Sequence, residues 1–156
     1  MKITFAVPIS GCAWWRCIQP ARMIEKQGLA EVKVFDPNTM GDKEIEEMIE
    51  WAEVIVQQSP MGINQVAATA KFKEKGKTVI GDYDDLTFSC SPFNPAYKTL
   101  GLNDVKVKHE GKETYLWQDG TNGFDLKANY FRYKSLQDLL RLFDGITTTC
   151  SYIKNI

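Results

Sequence analysis

Histidine is almost missing from this sequence: His109 stands alone in 156 residues. The four cysteines, Cys12, Cys17, Cys90 and Cys150, form no C-x-x-C pair. Zinc sites need several such ligands at short, fixed spacing, so no structural zinc site is expected. A basic excess is lacking too. Nineteen Lys and Arg face twenty Asp and Glu, for a net charge of −1, and general nucleic-acid binding is not expected without a cationic field. No apolar run approaches the length of a membrane span. The early stretch Ile3–Pro8 is also too short for a secretory leader and has no charged segment before it. Without a secretory signal, the cysteines read as reduced thiols in a cytosol. They lack a neighbouring basic partner and read as packing residues. Low complexity, repeats and linkers are absent as well.

What is present fits one domain over 1–156. Hydrophobic residues make up 44% and charged residues 25%, close to the average for soluble globular domains. Lys2–Val7 reads as a buried strand stopped by Pro8, then a loop from Ile9 to Ala13. Ile18, Ala21 and Ile24 recur at helical spacing between Arg16 and Gly28, and Gly28 supplies the C-cap. Glu31–Phe35 is a strand. Asp42 reads as the N-cap of an acidic helix to Trp51. Strand Glu53–Gln57, helix Ile63–Lys75 and strand Lys77–Gly81 follow. This alternation predicts an α/β, Rossmann-like parallel sheet with flanking helices, five strands in all, with Lys2–Val7 central. Val105–His109 and Glu113–Trp117 read as a β-hairpin appended outside that sheet, within an insert spanning 103–127. Ser135–Phe143 reads as a helix and Gly145–Cys150 as the last strand.

Ligands of open parallel sheets bind beyond the carboxyl ends of the strands, where strand order switches. Three loops there carry the candidates. The first holds Gly11, Trp14, Trp15 and Arg16; the second holds Gln58; the third holds Asp82, Asp84 and Asp85. The first lacks both G-x-G-x-x-G and the P-loop Lys-Ser/Thr. Gly11 permits either a tight turn or a helix start facing an anion, with Arg16 within reach. Adjacent Trp14 and Trp15 cannot both face a core from a regular helix, and an exposed ring suits stacking on a sugar or base. The close carboxylates of the third loop repel one another. They fit Mg²⁺ binding, a general base, hydrogen-bond acceptors for a polyol, or an Asx-turn with a helix N-cap. His109 falls on the hairpin, away from these loops.

Four segments together resemble glycosyltransferases of the GT-B architecture, in the family-4-like branch of bacteria and tailed phages. They are Gly11-Cys-Ala-Trp-Trp-Arg16-Cys-Ile-Gln-Pro20-Ala-Arg-Met-Ile, Ala52-Glu-Val-Ile-Val-Gln57-Gln58, Gly76-Lys-Thr-Val-Ile-Gly-Asp82-Tyr-Asp84-Asp85-Leu86, and Asp144-Gly-Ile-Thr147-Thr148-Thr149. Asn94-Pro95 fits the same pattern. Motif order is kept over nearly the whole chain; the 103–127 insert departs from it. The resemblance implies the N-terminal, acceptor-side half of a sugar transferase that uses a nucleotide-sugar donor and no further cofactor. The donor-binding domain would follow about where this sequence stops. Asp84 and Asp85 would be catalytic; Gly11, Trp14, Trp15, Arg16, Gln58 and Asp82 would bind substrate. Two other readings stand beside it. One is a ligand- or protein-binding module without catalysis. The other is a phosphohydrolase of the haloacid-dehalogenase type, because Asp82-Tyr-Asp84-Asp85-Leu-Thr87 is close to D-x-D-x-T.

Overall fold

The computed structural model describes residues 1–8, 11–84, 87–109 and 111–148. Five strands form one parallel sheet: β1 (Lys2–Ala6), β2 (Glu31–Phe35), β3 (Val54–Gln58), β4 (Thr78–Tyr83) and, last, β7 (Gly145–Thr148), in the order β2-β1-β3-β4-β7. β1 is therefore internal, but β3 is the middle strand. Parallel strands need crossovers, and helices α2 (Gln19–Lys26), α3 (Asp42–Trp51), α4 (Ile63–Glu74) and α6 (Leu126–Leu142) occupy them. The chain leaves β1 toward β2 and leaves β3 toward β4. The switch in direction lies between β1 and β3.

Alternation along the strands sorts the core into two layers. Ile3 and Phe5 of β1, Val7 just after it, and Val56 pack on Ala13, Cys17 and Ala21. On the other face Ile55, Val79 and Phe35 pack on Ile49 and Ala52, flanked by Phe72 and Phe143. The first face is thus covered by the segment that follows β1, and the second by α3, α4 and the end of α6. Gly81 of β4 lies on the second face because Phe143 needs the space: a Cβ there would sit 2.5 Å from the Phe143 ring.

The segment covering the first face is not a uniform helix. A single α-helical turn, α1 (Gly11–Ala13), runs directly into a π-helical stretch, Trp14–Ile18, and then into α2. Gln19 donates its N–H to the Trp14 carbonyl, five residues back. The cause is Pro20 at the second position of α2. It brings no N–H, and its ring would crowd the carbonyl four residues earlier, that of Arg16, in a tight α-turn. Widening the turn removes the clash. Gly11 opens this helical run, where the sequence suggested a loop up to Ala13.

Two other boundaries differ from the sequence reading. Gly41, not Asp42, is the N-cap of α3: its N–H donates to Glu44 Oε2 at 3.1 Å, while Asp42 adds its charge to the first turn. Helix α6 starts at Leu126, nine residues before the expected Ser135, capped by Asp125, which accepts from the Ala128 N–H at 2.9 Å. Its first half has no aliphatic stripe. It is held by aromatic and polar contacts instead: Tyr133 meets Phe88 edge-on at 5.2 Å, and buried Asn129 donates to the carbonyls of Lys98 and Gly101.

The expected hairpin forms from β5 (Val105–His109) and β6 (Lys112–Trp117) as a separate two-stranded antiparallel sheet. An isolated hairpin is marginal in water. Here an aromatic cluster anchors it, Trp117 lying 5.6 Å from Phe124 and 6.0 Å from Tyr97, with Trp117 Nε1 donating to the Pro92 carbonyl at 2.7 Å. A short helix, α5 (Tyr97–Leu100), provides Tyr97. His109 is exposed at the end of β5.

The packing at Gly81 yields a direct check. Gly81→Ala should cost about 1–3 kcal/mol by overpacking, or roughly 2–12 °C in Tm. Gly11→Ala, whose added Cβ meets nothing within 4 Å, should leave Tm nearly unchanged. Thermal melts of both variants compare them, and an unchanged Tm for Gly81→Ala would refute the close approach of Phe143.

Candidate functional site

Register brings three polar side chains into one row. Gln58 of β3 pairs with Asp82 of β4, and Asp82 pairs with Thr147 of β7. In a parallel sheet, paired residues point to the same face, here the one covered by the π-helical segment. That segment sets Arg16 beside the row. Asp82 is 3% exposed, so its charge requires partners. Arg16 supplies two: Nε donates to Oδ2 at 2.9 Å, and Nη2 donates to Oδ1. Thr147 Oγ1 donates to Oδ1 at 2.5 Å, and the Cys17 thiol donates to Oδ2 at 3.8 Å.

A carboxylate offers about four acceptor positions. All four of Asp82 are taken, so it serves as the orienting group of the site and has no acceptor capacity left for a ligand. Arg16 is the reverse case. Of its five N–H bonds, Asp82 takes two along the Nε–Nη2 edge. Among the described residues three are left without a recipient: both on Nη1 and one on Nη2. The side chain keeps 19% of its surface exposed. The bond to Asp82 raises the Arg16 pKa, and the Asp84 charge adds to the effect. Cys17 is pushed up to about 12, first by burial and then by the Asp82 charge. It is a packed hydrogen-bond donor and not a nucleophile.

The loop after β3 is tied to the same edge. Ser59 donates its N–H to the Asp82 carbonyl at 2.8 Å and its hydroxyl to Asp84 Oδ1 at 3.3 Å. Tyr83 donates its hydroxyl to the Pro60 carbonyl at 3.0 Å. Ser59 holds a left-handed backbone, φ 44°, a conformation that costs energy outside glycine and is kept here by these bonds.

The candidates therefore separate. Arg16, Gln58, Asp82 and Asp84 lie together at the carboxyl edge, and Gly11 begins the helical run above it with open space around its Cα. Gln58 is buried beside Asp82. Trp14 is 37% and Trp15 74% exposed; Trp14 is covered on one side by the Arg22 guanidinium, 4.7 Å from the ring centroid. Asp85 lies outside the described residues. Cys12 is exposed and Cys90 half-buried, so the packing role expected for the cysteines holds for Cys17 and not for Cys12. Sequence reasoning missed Cys17, Ser59 and Thr147 as members of the site. Thr147 had a signal, since the last strand had to place one of its threonines in line with Asp82. Among the described residues, no group of three or more His, Cys, Asp or Glu is arranged to hold a metal ion, and no helix is long and apolar enough to cross a membrane.

Asp82→Asn leaves the partly buried guanidinium without its counter-charge and should cost about 3 kcal/mol, the lower end for a buried pair because Arg16 keeps some solvent. Thr147→Val removes one hydroxyl donor and should cost about 1 kcal/mol. Urea unfolding ranks them; equal stabilities of wild type and Asp82→Asn would overturn the orienting role. For Cys17, the raised pKa means that the native state holds the thiol proton more tightly than the unfolded state does. Stability should accordingly fall as pH rises from about 9 toward 12, and Cys17→Ala should flatten that decline. At pH 8 a thiol reagent should label Cys12 quickly and Cys17 only on unfolding; rapid native-state labelling of Cys17 would contradict its burial.

No protein-family model, curated protein or solved structure matches this chain.

Proposed function

We propose that this chain forms the acceptor-side half of a GT-B glycosyltransferase. The observation that carries the reading is the convergence of its motif segments. The stretches around Arg16, Gln58, Asp82 and Thr147, which resemble GT-B motifs in sequence, meet at one sheet edge and share one hydrogen-bond network. The edge lies by the strand-order switch, where open α/β sheets take ligands.

The charge balance favours the acceptor over the donor. A nucleotide diphosphate needs cations whose charge is not already offset. Arg16 is offset by Asp82, and the nearby carboxylate of Asp84 adds a further negative charge. Such an edge suits a hydroxyl-bearing acceptor, and the donor diphosphate would be held by a second domain. In this reading Asp84 takes the proton of the acceptor hydroxyl, Arg16 orients the acceptor, and Asp82 fixes Arg16. The phosphohydrolase reading loses support here, because a nucleophilic aspartate needs an open oxygen and those of Asp82 are all engaged. A binding module without catalysis would use the same edge, and transfer activity separates the two.

With residues 1–156 alone, calorimetry against UDP-, GDP- and ADP-sugars should give dissociation constants on the order of millimolar, about −4 kcal/mol. Micromolar binding would overturn the half-enzyme reading in favour of a complete nucleotide site in this chain. When the chain is joined to a donor-binding domain, Asp84→Asn should lower sugar transfer by about 10²–10⁴-fold at unchanged fold, the usual worth of a general base. Unchanged transfer would remove Asp84 from catalysis.

A further inference from the structure

We infer that Asn122–Gly123 is a self-modification site, at which the Gly123 backbone nitrogen closes on the Asn122 side-chain amide and converts the asparagine into aspartate and isoaspartate. The inference is independent of the acceptor-side reading and concerns the turn between β6 and α6.

That turn meets the needs of the reaction. Residues 118–123 are all exposed, so water reaches both groups. Among the described residues, neither the Asn122 side-chain amide nor the Gly123 N–H has a hydrogen-bond partner. Glycine brings no Cβ to obstruct the approach of its nitrogen to Asn122 Cγ. Asn122 and Gly123 both hold left-handed backbones, φ 50° and 73°, and the nitrogen must swing out of this arrangement to reach Cγ. Little resists the swing. One hydrogen bond closes the turn, from the Phe124 N–H to the Thr121 carbonyl at 2.8 Å, and a left-handed asparagine gives up little on leaving that conformation. Exposed turns of this kind open locally at small free-energy cost.

Lys98 adds an electrostatic push. A Cβ built on Gly123 would sit 3.0 Å from Lys98 Nζ, which puts an ammonium beside the backbone of the attacking residue. Attack needs the Gly123 nitrogen without its proton, and a neighbouring cation favours that anionic form.

The chemistry balances with water alone. A solvent base takes the Gly123 amide proton, and the nitrogen forms a bond to Asn122 Cγ. The Cγ–Nδ2 bond breaks, and Nδ2 leaves as ammonia with the proton returned by the solvent. The cyclic imide then takes up one water at either carbonyl. Opening on one side gives aspartate in a normal backbone. Opening on the other gives isoaspartate, whose backbone runs through Cβ and Cγ and is one atom longer.

That extra atom falls where the fold tolerates it least. Phe124 is fully buried, stacked on Tyr97 at 6.0 Å and 5.6 Å from Trp117, in the cluster that anchors the hairpin. Its N–H donates to the Thr121 carbonyl, and its carbonyl accepts from the Gly120 N–H. A longer backbone between Thr121 and Phe124 cannot keep both bonds and the ring position, so isoaspartate loosens the hairpin while aspartate does not.

The test ages residues 1–156 at pH 8 and 37 °C, then measures conversion at each asparagine by peptide mapping and mass spectrometry, with isoaspartate read by enzymatic methylation. In the folded protein Asn122 should react at least tenfold faster than any other asparagine. Lys98→Gln should slow it about threefold or more. Aged wild type should melt several degrees below fresh protein, whereas Asn122→Gly, which accepts the same left-handed backbone and cannot react, should keep its Tm on ageing. Fresh Asn122→Asp, which gains the charge without the added atom, should melt close to fresh wild type. Conversion of Asn122 no faster than that of the other asparagines overturns the site, and an unchanged rate in Lys98→Gln overturns the role of Lys98. Equal melting of fresh and converted protein overturns the loosening of the hairpin. None of these outcomes bears on nucleotide-sugar affinity or on transfer by the joined enzyme.

Discussion

The carboxyl edge of this fold depends on one ion pair. Asp82 is a carboxylate placed at the end of β4 inside the protein, where an unpaired charge would cost several kcal/mol. Its counter-charge does not come from a neighbouring strand. Arg16 reaches it from the helical segment after β1, across the width of β3. That reach couples the two sides of the strand-order switch. The segment that covers the first face of the sheet is held by apolar packing of Ala13, Cys17 and Ala21, but the Arg16–Asp82 pair fixes its height over the sheet. Thr147 then draws β7, an edge strand, into the same network. One buried carboxylate thus ties together segments separated by some 65 residues on either side.

The π-helical stretch is part of this coupling. Arg16 must point into the sheet edge while Ala21 and Ile24, farther along the same run, must point into the core. A uniform α-helix fixes the angle between those positions. Widening the turn over Trp14–Ile18 changes that angle, and Pro20 makes the wider turn the lower-energy one. The same widening leaves both tryptophans at the surface. Pro20 therefore acts on the site without touching it: it sets the rotation of the residues that do.

The parallel sheet was readable because its signals are local. Short apolar strands, helices closed by Gly28 and Gly76, and tight connections all follow from backbone preferences, and both glycines take the positive φ that such helix ends require. The hairpin was readable for the same reason, from alternation around Gly111. The first half of α6 was not. Its buried face is made of Asn129 and aromatic contacts, and hydrophobic periodicity does not register a helix whose burial is polar. Within the site, residue types pointed to the right loops but did not assign roles. Asp82, Asp84 and Asp85 look alike in sequence. Only register distinguishes Asp82, which is in line with Thr147 and facing Arg16, from Asp84, which turns toward Ser59.

That distinction also shows how one acidic loop serves both fold and site. A carboxylate with all its acceptor positions engaged is chemically quiet: it donates no capacity to a ligand and has no open oxygen with which to attack one. What it gives is direction, holding the Arg16 guanidinium by its Nε–Nη2 edge and restricting its rotamers. Pairing Arg16 with Asp82 also reduces its long-range attraction for anions. The next carboxylate in the chain, Asp84, lies just past β4, accepts from the Ser59 hydroxyl and adds its charge to what Arg16 senses. The two differ because β4 ends at Tyr83: Asp82 is still held in register with Thr147, while Asp84 lies past the strand and accepts from the Ser59 hydroxyl.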